Sequence, residues 1–129
     1  MLSAHRVLAV LECRGSDEAV VRRAVEVAAE SGGYLTLVVV VPRPLRTTLG
    51  PYCAPRVTPE ELRTGAAAAL VRAAALVPSG IPLLTALDEG RTADVIARRV
   101  AVAQHDLVVV RQRRRALLAR TSSVPVLAP

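Results

Sequence analysis

At 129 residues the chain fits one domain spanning 1–129, large enough to bury a core. Its 17 basic residues are all arginine and give a net charge of +6, which favours anionic partners without bearing on the fold. Two cysteines exclude a disulfide framework, two tyrosines exclude a base-stacking surface, and the apolar run Leu37 to Val41 is far too short to cross a membrane.

In chain order, Val7 to Leu11 is apolar without alternation and reads as a strand buried on both faces. Ser16 or Asp17 then offers an N-cap, and Val21, Ala24, Val25 and Ala28 follow at helical spacing until Gly32 and Gly33 stop the helix. Leu35 to Val41 is a second buried strand, so the first three elements form a right-handed βαβ unit. Pro42, Pro44, Pro51 and Pro55 make the next stretch a loop. Thr58-Pro59-Glu60-Glu61 is a capping box opening a second helix that runs toward Ser79 and Gly80.

A third strand is expected over Ile81 to Leu87, containing Pro82, followed by a turn at Asp88-Glu89-Gly90. Thr92 is placed as the cap of a third helix whose buried stripe is Val95, Ile96, Val100 and Ala103. Leu107 to Val110 is the fourth strand, Arg113 to Arg120 a short helix, and Val124 to Leu127, containing Pro125, the fifth strand. Proline removes a ladder donor and belongs at sheet edges, which sends strands three and five outward. The order 3-2-1-4-5 follows, with its topological switch point between strands one and four, where Glu12 and Arg111 stand.

The V-L-A-V-L-E strand, the Gly15-Ser16 pair, Y-L-T-L-V-V-V-V-P, E-G-R-T-A-D-V-I-A, H-D-L-V-V-V and the terminal S-V-P-V-L resemble, in order, the universal stress protein family. The resemblance covers nearly the whole chain. It implies an α/β fold, a three-layer sandwich on a five-stranded parallel sheet in the order 3-2-1-4-5, of the adenine nucleotide alpha hydrolase type. It also implies a homodimer joined through the last strand, with Val124, Val126 and Leu127 at the dimer edge.

ATP-binding members close strand one with an acidic residue, usually Asp, and carry G-x2-G-x9-G-[S/T] after strand four. Here Glu12 fills the first position, Arg111 replaces the first glycine, and no glycine follows Gly90. Only 13 residues, Arg111 to Ser123, separate strands four and five. A phosphate-binding turn needs glycine so that the backbone can approach the phosphates at positive φ. The family's phosphate-binding mode therefore does not carry over, and no cofactor is expected.

Two readings of the switch point follow. Glu12, Val40 and Arg111 could hold a nucleotide or other anion in a modified way. Alternatively, Glu12 and Arg111 pair with each other, which is the simpler arrangement and the one favoured. Arg113, Arg114, Arg115 and Arg120 form a candidate polyanion patch, but without aromatic platforms or a DNA-reading motif nucleic acid is not the expected partner.

Cys13, beside Arg14, could have a lowered thiol pKa, although a small buried residue after a strand is the plainer reading; Cys53 has no assigned role. His5 and His105 lack metal-ligand spacing and are expected at the surface or at strand starts. Ser122 and Ser123 have no base to activate them. With no catalytic dyad, P-loop, CxxC motif or signal peptide in view, the sequence predicts a cytoplasmic, non-enzymatic, regulatory or scaffolding domain, acting in a stress response through an unidentified protein partner, with no membrane contact. Its arginine and alanine bias suggests a GC-rich bacterial genome.

Overall fold

The computed structural model describes residues 5–42 and 58–129. The strands are β1 (Arg6–Leu11), β2 (Tyr34–Val41), β3 (Leu83–Glu89), β4 (Leu107–Val109) and β5 (Val126–Leu127). The helices are α1 (Asp17–Ser31), α2 (Pro59–Ala74), α3 (Thr92–Ala103) and α4 (Gln112–Ala119). All strand pairs are parallel and the sheet order is β3-β2-β1-β4-β5, as expected from the prolines.

The absence of alternation in β1 and β2 has a direct cause: both faces of these strands are covered. Val7, Ala9 and Leu11 point, with Leu35, Leu37 and Val39, into a core closed by α1 and α2. Leu8 and Val10 point, with Val38 and Val40, to the opposite face under α3 and α4. Each fully buried Leu or Val side chain contributes about 1.5–3 kcal/mol. Among the described residues, both layers are thus filled by Val, Leu, Ile and Ala side chains.

The helix ends follow local chemistry. Gly32 takes the left-handed conformation at φ 65° and closes α1, as its lack of a Cβ allows. Thr58 accepts from the Glu61 amide at 3.1 Å and the Glu61 carboxylate accepts from the Thr58 amide at 3.4 Å, so the capping box of α2 forms.

Several boundaries differ from expectation. α2 stops at Ala74, well before Ser79 and Gly80, so it is a shorter lid on the sheet. Pro82 and Pro125 each lie just before their strand rather than within it. Each instead lends its carbonyl to the neighbour, accepting from Leu35 at 2.9 Å and from Val108 at 3.0 Å. Asp88 and Glu89 belong to β3, paired with Val40 and Val41, and only Gly90, at φ 131°, makes the turn. β4 is brief, but the buried Val110 extends its pairing by donating to the Leu127 carbonyl at 2.9 Å.

Cys53, Tyr52 and the prolines at 44, 51 and 55 lie outside the described residues. Among the described residues, no helix is long and apolar enough to cross a membrane.

Candidate functional site

The carboxyl ends of β1 and β4 leave the sheet side by side, which places Glu12 and Arg111 at the crevice where the strand order reverses. Arg111 donates from Nε to Glu12 Oε2 at 2.7 Å. Arg114, three residues on and therefore on the same side of α4, donates from Nη2 to Oε1 at 2.9 Å and from Nε to Oε2 at 3.3 Å. Thr92 donates its hydroxyl to Oε1 at 2.9 Å. Each carboxylate oxygen thus accepts two hydrogen bonds, close to the full capacity of an ionised carboxylate.

Burial opposes the charge on Glu12, with its side chain 12% exposed, but the Arg114 and Thr92 hydrogen bonds and the two guanidinium charges outweigh that and lower its pKa. A carboxylate held ionised with every acceptor site occupied is a poor general base and has no lone pair left for a ligand hydroxyl. Thr92, expected to cap α3, is instead its first residue; Arg91 precedes the helix without capping it. The Thr92 hydroxyl serves Glu12 because the β3–α3 turn lies over the end of β1. No sequence signal links residues 80 positions apart, so this partner was not foreseen. Arg114 carries a faint signal in its three-residue spacing from Arg111, although the arginine run by itself points to a surface patch.

Beside this cluster opens a cleft of about 930 Å³, walled by Glu12, Val40 and Arg114, with the exposed Arg14, Arg91 and Arg98 and the exposed carboxylates of Glu89 and Asp94 at its rim. Arg111 does not line it. The expected trio Glu12, Val40 and Arg111 is therefore only partly brought together, with Arg114 standing at the cleft in place of Arg111.

The loop between β1 and α1 is tied by Asp17, whose carboxylate accepts the amides of Glu12 at 3.1 Å and Arg14 at 3.2 Å. Burial raises the Asp17 pKa, the backbone hydrogen bonds oppose this, and the nearby Glu12 charge adds to the rise. Ser16 makes no side-chain cap. Cys13 occupies this loop at φ 58° and is exposed, contrary to the buried role expected for it. Partial burial of its thiol, with Asp17 nearby, raises the pKa against the opposing charge of Arg72, so the lowered value considered from the sequence is overturned.

His5 is exposed at the entry to β1, and its amide donates to Asp106 at 3.0 Å. His105 is not a surface residue: it is 3% exposed. Its Nδ1 lies 3.2 Å from the Arg99 carbonyl and its Nε2 2.9 Å from the Thr36 hydroxyl. The carbonyl can only accept, so Nδ1 carries the proton and Nε2 accepts from Thr36. Burial lowers the His105 pKa.

Arg113, Arg115 and Arg120 are exposed, whereas Arg114 is half-buried against Glu12 and is not a free cation of that patch. The Ser122 hydroxyl is spent locally, donating to the Val124 carbonyl and accepting from its amide, and Ser123 is exposed. Val126 is buried, while Val124 and Leu127 are half-buried on and beside the last strand. Among the described residues no group of His, Cys, Asp and Glu could hold a metal ion.

Compared with known proteins, residues 4–126 match the model of the universal stress protein family. A universal stress protein family structure from Burkholderia pseudomallei superposes with a TM-score of 0.78 at 21% identity, covering 97% of this chain and 95% of that one. A universal stress protein in complex with cAMP gives a TM-score of 0.70 at 18% identity, covering 99% and 98%. A family protein from Arabidopsis thaliana with AMP bound gives 0.63 at 16%, covering 95% and 89%. No curated protein matched the sequence.

Proposed function

The chain belongs to the universal stress protein family, and from that premise we propose that it is a regulatory or scaffolding member whose crevice does not take ATP. The saturated Glu12 carboxylate carries this reading. The acidic residue that ATP-binding members keep at the end of strand one is here consumed by Arg111, Arg114 and Thr92. The exit of β4 leads into an arginine-bearing helix with no glycine to approach a phosphate. The domain acts through protein contacts, as a homodimer joined along β5, in the cytoplasm and without catalysis. Isothermal titration with ATP, AMP and cAMP tests the crevice. No saturable heat is expected from any of them, and saturable ATP binding that disappears in Arg111→Ala would overturn the reading.

A second reading rests on the open cleft. Its 930 Å³ has room for a small ligand, its rim cations Arg14, Arg91 and Arg98 outnumber the rim carboxylates Glu89 and Asp94, and structurally similar family members carry cAMP or AMP. In this case the same titration gives saturable heat for a nucleotide or another small anion, weakened by Arg91→Ala and Arg98→Ala.

A further inference from the structure

α4 and the residue after it carry Arg113, Arg114, Arg115 and Arg120. Arg114 is committed to Glu12, but none of the ion pairs among the described residues includes the other three. Residues 1–4 and 43–57 contain no Asp or Glu that could supply a partner. Arg113 and Arg115 lie in the first turn of the helix, at the positive end of its dipole, with no acidic residue in that turn. Their placement costs stability, and no side-chain hydrogen bond or ion pair among the described residues offsets it.

The helical continuation through Arg120, at φ −72° and ψ −28°, puts Arg113, Leu117 and Arg120 on one face, away from the buried Leu118. Leu117 is 63% exposed there, between two arginines whose Cα atoms are roughly 10 Å apart along the axis, seven residues at ~1.5 Å each. An apolar side chain flanked by two unpaired guanidiniums is complementary to a segment that presents an apolar residue between two carboxylates.

We propose that this face of α4 docks an acidic amphipathic helix of a partner protein, its apolar residue on Leu117 and its carboxylates on Arg113 and Arg120. Two copies of this face do not fit each other, since like charges would meet. A phosphate backbone makes no use of the exposed leucine, and the face has no aromatic side chain for a base. One leucine on an eight-residue helix is too little apolar surface to anchor in a membrane interface.

The inference rests on the reading of this domain as one that works through protein contacts. Its test is separate from the nucleotide titration, because these side chains do not line the crevice. The probe is a fluorescein-labelled synthetic helical peptide bearing Glu, Leu and Glu at positions i, i+4 and i+7, followed by anisotropy against the full chain. Saturable binding is expected. The double substitution Arg113→Glu with Arg120→Glu weakens it at least tenfold, Leu117→Ser weakens it at unchanged net charge, and a Glu-to-Arg peptide restores binding to the charge-reversed protein. Binding equal across these variants, no saturable binding to the unmodified chain, or loss in the same variants of binding to single-stranded oligonucleotide or phosphatidylserine vesicles but not to the peptide would each overturn it.

Discussion

Glu12 is the residue on which the crevice turns. With its carboxylate removed, Arg111 and Arg114 would face each other half-buried and unneutralised. Glu12→Ala is therefore expected to lower stability by about 2 kcal/mol, read as a lower urea midpoint; this is below the range for a fully buried pair because Arg114 remains partly solvated. An unchanged midpoint would show that the cluster has no structural role.

His105 and Glu12 each give stability a pH dependence that weakens the fold in acid. Burial lowers the folded-state pKa of His105 below 6.5, so the unfolded chain binds the proton first. Stability is then fully present above about pH 6.5 and declines as pH falls from there toward the folded value. Urea titrations from pH 7.5 to 5 should show that decline, and His105→Gln should flatten it. Glu12, also lowered, adds a further loss only as pH falls below 4.5.

At the scale of elements, end signals held where they were local. The capping box of α2 lies wholly within Thr58 to Glu61 and forms as written. Thr58→Ala is expected to cost about 1 kcal/mol, measurable by thermal unfolding. Thr92 carried an equally good cap signal and lost it to tertiary contact, because the end of β1 supplies a carboxylate that its hydroxyl reaches. α2 stops early for a related reason. After Ala74 the amides of Leu76 and Val77 donate to the Ala73 and Ala74 carbonyls, drawing the chain into tight turns that pack Val77 and Ile81 on the same core as Leu62, Leu70 and Ala73.

For the whole molecule, the sheet order was legible because the two prolines mark the edge strands and the uninterrupted apolar runs mark the central ones. The proposed homodimer joins two copies along the β5 edge. A mass near twice 13.6 kDa by light scattering at micromolar concentration is the expected result, with a monomer counting against it. Charge reversal along α4 should leave that mass unchanged, since like charges make the α4 face an unsuitable self-contact.

Backbone periodicity, proline placement and glycine signals are local properties, so the sequence by itself determined the element order, the buried strands and the 3-2-1-4-5 sheet. It also placed Glu12 opposite Arg111, because the switch point follows from strand order. Only the tertiary structure decided that Arg114 and Thr92 complete the Glu12 cluster, that His105 is buried against Thr36, and that Cys13 is exposed. Each depends on side chains from separate elements meeting at atomic distance, and hydrogen-bond geometry varies over a few tenths of an ångström while sequence patterns fix only which face or end a residue occupies.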